Sequence, residues 1–292
     1  MQSTLTDLGR RALRRRAEGD TAEDVAAHWS EKIRALLDVS LAATGSVGRG
    51  EATPLSDVDV IRISAGATPK LQRLSELGKV DSNGVAGNSW ALPEDATAWR
   101  VAAPRWADHP ELDLAVVKIG LLADAADNVR SAAADVVPGS RMIAEMLRDS
   151  LATKTPKIGL HRWSHTSVAV KDQLLTPIVK LARWAALSSG SDALSTPARL
   201  ASAAPFTISA DESGDLAESF SIIFAVKMDL DLGLIDRECV DHRGRLILPA
   251  LSRDRAKSVI ASAATVRGIQ NAAGYRLTTS SYAPGNIREP NL

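Results

Sequence analysis

The sequence predicts an α+β protein: a small sheet with helices over residues 1–130, then an all-α helical bundle over 131–292. Three observations carry that expectation. Two short apolar runs, 39–43 and 58–63, flank a glycine-rich turn and have the length and β-branching of strands. A third run at 112–117 alternates weakly and suits another strand, after which strand signals fade past about residue 125. Four stretches at 132–151, 168–187, 216–232 and 251–273 then repeat apolar residues every three to four positions, the period of a helix. The length, 292 residues, is near twice the ~150 typical of a domain, so two compact units fit it.

In chain order, the first twenty residues read as a helix bearing Arg10, Arg11, Arg14, Arg15 and Arg16, a charge run best read as a solvated face. From Thr21, the spacing of Val25, Trp29, Ile33, Leu36 and Leu37 predicts a helix opened by a Thr21/Asp24 cap. Between the first two strands, residues 47–56 read as a loop with one helical turn. A helix is expected over 69–77, and no clear period runs from there to Trp99. Pro138-Gly139 punctuates the change to helices. Pro177 lacks the N–H that an interior turn requires, so the regular helix should begin just before it.

Composition excludes several classes. Hydrophobic residues at 45% and charged residues at 24% are those of a globular chain, not of a disordered or collagen-like one. Lys and Arg number 35 against 35 Asp and Glu, so the whole chain supplies no field that would draw it to nucleic acid or to a membrane. With no apolar run near 18 residues and no hydrophobic leader, the expected location is the cytoplasm. Cys239, the single cysteine, reads as a small buried residue.

The chemistry is concentrated in Gly45-Ser46-Val47-Gly48-Arg49-Gly50-Glu51 followed by Ser56-Asp57-Val58-Asp59. A strand ending in Gly-Ser lets backbone N–H groups approach an anion, because glycine has no Cβ. Residues two apart on a strand share a face, so Asp57 and Asp59 should project together. Two neighbouring carboxylates need a cation between them, and magnesium binds through one or two carboxylates plus substrate phosphates. A nucleoside triphosphate with Mg2+ satisfies both halves of the motif. Arg49 could meet phosphate, or could pin the loop on Glu51 or another carboxylate.

This segment resembles the signature of the polymerase-β-type nucleotidyltransferase superfamily, in the form seen in the uridylyltransferase of PII proteins. Leu77-Gly78, Gly84-Val85-Ala86 and Asn88-Ser89-Trp90 are similar to the stretch that follows in signal-transduction nucleotidyltransferases often fused to CBS or cyclic-nucleotide-binding domains. Val170-Lys171-Asp172, Pro177 to Arg183 and Ser195-Thr196-x-x-Arg199-Leu200 resemble that family's helical half. Departures are Asp81-Ser82-Asn83-Gly84 in place of Cys-Pro-Gly, missing glycines after Lys171, and Ala115 where an arginine usually closes Asp-Leu-Arg.

The resemblance implies a polymerase-β-like domain with a small mixed sheet over 1–130 and a helical substrate-binding or regulatory domain over 131–292. It implies an enzyme in which an acceptor hydroxyl attacks the α-phosphate of an NTP and pyrophosphate leaves, with two Mg2+ ions, Mn2+ being the alternative. Asp57, Asp59 and Asp113 would be the catalytic and metal-binding trio, and Gly45, Ser46, Arg49, Ser56 and Lys171 the nucleotide-binding set. Lys171 competes with a solvent-facing reading. The acceptor expected from the uridylyltransferase relatives is a protein. A nucleotide sensor without turnover, and transfer to RNA or a small molecule, are the alternatives; neutral charge weighs against RNA.

Two further features rank lower. His161 and His165 share a helix spacing compatible with zinc, but no third ligand can be named and Trp163 suggests packing. Trp90, Trp99, Trp106, Trp163 and Trp184 read as core or interface.

Overall fold

The computed structural model describes residues 1–80, 92–158, 166–203 and 207–279. Helix α1 (Gln2–Ala17) buries only Leu8 and Ala12, so most of its arginines face solvent. Helix α2 (Ala22–Arg34) opens where its cap predicts: the Thr21 hydroxyl oxygen accepts from the Asp24 N–H at 3.1 Å. Its apolar face, Val25, Trp29 and Ile33, is buried.

Strand β1 (Leu41–Thr44) is buried at every position and pairs antiparallel with β2 (Asp59–Arg62). The register sets Thr44 opposite Asp59. Between them runs the short helix α3 (Gly45–Arg49), the helical turn expected inside this loop. Helix α4 (Pro69–Glu76) takes Pro69 in its first turn, where a missing N–H costs no helical bond. Helix α5 (Ala96–Asp108), in a region without a clear sequence period, is capped by Asp95 and buries Trp99 and Trp106 edge to face at 5.6 Å.

The third expected strand is absent. Residues 112–114 form a turn, with Asp113 and Leu114 in the left-handed conformation, and a helix follows at once: α6 (Ala115–Ala123). The run 112–117 is too apolar for alternation to separate strand from helix, and Ile119 and Leu122, each buried, continue it with helical spacing. Among the described residues, therefore, the sheet beside the glycine-rich turn has two antiparallel strands.

The rest is helical. The stretch 132–151 is two helices, α7 (Ser131–Val136) and α8 (Met142–Ala152), divided at Pro138-Gly139. A two-residue strand, β3 (Ser167–Val168), pairs with β4 (Leu246–Ile247). One π-helical stretch, Val170–Leu175, leads into α9 (Thr176–Ser188), which starts one residue before Pro177 as the proline requires. The Lys171 carbonyl accepts both the Thr176 N–H that closes the wide turn and the Thr176 hydroxyl, the latter at 3.0 Å. Helix α10 (Thr196–Ala201) is capped by Ser195, and α11 (Ala210–Asp231) opens with a Ser209/Glu212 capping box. The long α12 (Arg253–Thr279) packs along α11, which also lies against α2 and α10. The hydrophobic core runs through both halves, including Trp184 and the stacked Phe220 and Phe224. No helix among the described residues is long and apolar enough to cross a membrane.

A candidate nucleotide-binding cavity

A cavity of about 380 Å3 opens where α3, β2, α6, α9 and α11 meet. Gly45, Ser46, Arg49, Ser56, Asp59 and Lys171, all singled out from the sequence, line it. Gly45 has φ +60°, which favours glycine, and a Cβ built on it would lie 2.5 Å from Asp59 Oδ2, so a side chain there would displace the carboxylate. A Cβ at Gly48 would lie 2.0 Å from the Asp124 carbonyl oxygen. The two glycines thus let α3 settle between β2 and the end of α6. The Thr44 hydroxyl, donating to the Leu121 carbonyl at 2.6 Å, ties β1 to α6 as well.

The loop after α3 is held from several sides. The Thr53 N–H donates to Ser56 Oγ at 2.9 Å, and the Thr53 hydroxyl donates to Asp231 on α11, which also pairs with Lys227. Asp57 precedes β2 rather than lying within it, and the cavity is lined by Asp59 without it. Its charge acts instead on Lys79, whose side chain donates to the Pro54 carbonyl. Burial lowers the Lys79 pKa, against the pull of Asp57 and Asp231.

Asp113 does not join this group. Its carboxylate, 53% exposed, lies 2.7 Å from the ammonium of buried Lys118, which also sits 5.3 Å from the Trp106 ring centre. The Lys118 ammonium beside it holds Asp113 below the usual carboxylate range. Loss of the third strand is the reason: a strand would carry Asp113 towards β2, whereas the turn into α6 directs it to Lys118. Of the expected trio, Asp59 alone lines the cavity, and among the described residues no group of three metal-ligating side chains forms.

Arg49 resolves towards pinning the loop. Its Nε donates to Glu51 at 2.7 Å and its Nη1 to Asp124, while the other Glu51 oxygen accepts from the Thr196 N–H at the start of α10. Asp124, 2% exposed, also takes Arg183 Nε at 3.1 Å and Nη2 at 2.5 Å, and Arg199 Nη1 at 2.8 Å. Burial alone would raise the Asp124 pKa, but Arg183, Arg49 and Arg199 together hold it well below the carboxylate range. Burial would likewise lower Arg49, yet Asp124 and Glu51 hold it above its ordinary value. Arg199 is pushed down to about 10, by burial first and by its fellow arginines, and stays a cation at neutral pH.

Sequence reading missed Asp124 as a hub, along with Lys180 and Lys227, which line the cavity in ion pairs with Asp149 and Asp231. The signal for Asp124 was present: a carboxylate inside the apolar run Leu121-Leu122-Ala123-Asp124-Ala125 must be paired if that run is buried. Cys239 is buried as expected, and Trp99, Trp106 and Trp184 are core. His161, His165, Trp163, Trp90 and the 81–90 stretch lie outside the described residues.

A divalent cation is typical of domains with this signature, and the donor set here fits one. Asp59 offers hard oxygen at the cavity wall with Asp57 two residues before it, and magnesium, unlike calcium, is commonly completed by waters and substrate phosphates rather than by a full protein cage.

A family model described as "Nucleotidyltransferase domain" matches residues 25–86, which include β1, α3, β2 and both aspartates. A second, described as "Putative nucleotidyltransferase substrate binding domain", matches residues 140–277, from α8 into α12. No curated protein matches the chain significantly.

Proposed function

Because the chain belongs to the polymerase-β-type nucleotidyltransferases, we propose that it moves a nucleoside monophosphate from an NTP to a hydroxyl, with Mg2+ or Mn2+, on a protein acceptor. The observation that carries this reading is the close approach of Asp59 to Gly45 on the wall of a cavity that α9 and α11 line with Lys180, Arg183 and Lys227. Asp59 would hold the metal from the cavity wall, with Asp57, just before β2, as the second carboxylate of the motif, and the metal would supply charge neutralisation at the reacting phosphate and at the leaving pyrophosphate. Gly45 and Ser46 admit the phosphates at close range, and Ser56 lines the same wall. Lys171, exposed, lining the cavity and without a side-chain partner among the described residues, is the cation offered to the triphosphate. Arg49 holds α3 in place through Glu51 and Asp124. We place the division between nucleotide and acceptor halves near residue 130, with α8 to α12 presenting the acceptor.

The test is incubation with Mg2+ and each α-labelled NTP, alone and with the proteins of a cell extract. Pyrophosphate release and a labelled protein band are expected, both lost in Asp59→Asn. Labelling that survives Asp59→Asn refutes the metal assignment. A second reading, a nucleotide sensor without turnover, is favoured by the engagement of Asp113 with Lys118 instead of the cavity. Under it the intact chain binds Mg-NTP and releases no pyrophosphate with any acceptor.

A further inference from the structure

We infer that Arg183 is the side chain of the helical half that grips the polyphosphate of the nucleotide, its guanidinium aimed by Asp124 and given room by Gly120. This rests on the reading that the cavity takes a nucleoside triphosphate. Arg183 lines the cavity from α9, and Gly120 faces it there from α6. Its Nε and Nη2 form a two-point fork on the Asp124 carboxylate, a geometry that fixes the plane of the whole guanidinium. Nη1 takes no bond among the described residues, and it rests 3.0 Å from the point where a Gly120 Cβ would stand. One edge of the fork is therefore occupied by protein, and the third nitrogen lies over the one residue of α6 that leaves it open space.

Gly120 is what lets the Arg183 guanidinium lie this close to α6. Glycine inside a helix costs about 1 kcal/mol relative to alanine, so its place in the middle of Ala115–Ala123 calls for a steric cause. The Nη1 nitrogen supplies one. Charge points the same way. Arg49, Arg183 and Arg199 converge where Asp124 and Glu51 supply only two negative charges, so one positive charge is left at the cavity wall. Of the three, Arg199 is sealed from solvent, its Nη2 held by the Ala123 carbonyl at 2.8 Å, and Arg49, whose Nη2 also takes no bond among the described residues, is stretched between two carboxylates and is less exposed than Arg183. Arg183, 16% exposed, retains both accessibility and a donor. An arginine with a planar edge to offer recognises phosphate oxygens better than a lysine point charge does. Asp124 and Gly120 are positioning residues in this account.

The experiment is calorimetric titration of the full chain with inorganic tripolyphosphate, then with Mg2+ and each NTP and its monophosphate. Gly120→Ala and Arg183→Gln should each bind tripolyphosphate and NTP about 10- to 100-fold more weakly, the range of one charge-assisted hydrogen bond. Monophosphate affinity should fall much less, a selectivity that general loosening of the fold would not produce. Gly120→Ala raises helix propensity and guards against the case in which Arg183→Gln fails to fold. If the wild type binds and Gly120→Ala binds tripolyphosphate equally well, or loses monophosphate affinity to the same degree, the role of Arg183 is overturned while the nucleotide reading stands. A wild type that binds neither tripolyphosphate nor any NTP overturns both.

Discussion

Two buried carboxylates in this molecule do similar work with different consequences. Asp124 gathers Arg49, Arg183 and Arg199 from three elements, and Asp229 gathers Arg16 from α1 and Arg255 from α12. Both are almost sealed from solvent, at 2% and 6% exposure. The Asp229 junction joins three helices away from the cavity, and its arginines are 20% and 37% exposed. The Asp124 junction forms part of the cavity wall and brings an excess of arginine to it. The contrast teaches that a buried ion pair acquires functional meaning from what its unused donors face, since by itself a buried salt bridge is weak evidence even for stability.

The largest expected effect tests whether the first junction borders a working site at all. Asp59→Asn should cut nucleotidyl transfer by roughly 1,000-fold, the scale of several kcal/mol of transition-state charge stabilisation, measured as pyrophosphate release. Next, Asp124→Asn should destabilise the fold by about 3–5 kcal/mol, because it leaves buried guanidiniums without their counter-charge; urea unfolding measures it. Asp229→Asn should cost a comparable amount, yet the protein that remains folded should bind NTP with wild-type affinity. Equal loss of affinity in both variants would erase the distinction between the junctions.

Acid sharpens the comparison further. The folded pKa of Asp124 lies below its unfolded value, so its stabilisation is complete above the ordinary value of 3.8 and is lost as pH falls through the folded value. The stability gap between wild type and Asp124→Asn should stay level from neutral pH down to about 4 and narrow only below that. A gap that closes near neutrality would contradict the arginine cage. Smallest of all, Arg255→Ala should cost about 1 kcal/mol or less in urea unfolding, since Arg255 is more than a third exposed and Arg16 still pairs with Asp229.

Much of the site was legible in order along the chain. Gly45, Ser46, Ser56 and Asp59 fall within fifteen residues of one another, and local rules of turns and strands bring them to one wall. The Thr21 cap and the start of α9 at Pro177 were legible for the same reason, because each depends on backbone groups within one helical turn. The run 112–117 was misread as a strand because a short apolar run carries no decisive period, and a turn with two left-handed residues lay at its head. Asp57 was expected inside the strand but precedes it, and hydrogen bonding between neighbouring chain segments, not spacing, set that edge.

The amino-acid order alone determined the glycine turn, the aspartate that faces it and the helical character of the second half, since these depend on steric and periodic rules acting over a few residues. Only the folded chain decided that Asp124, Arg183 and Gly120 meet at one cavity. They stand up to 63 positions apart, and long-range packing, with the need to pair every buried charge, is what selects their partners.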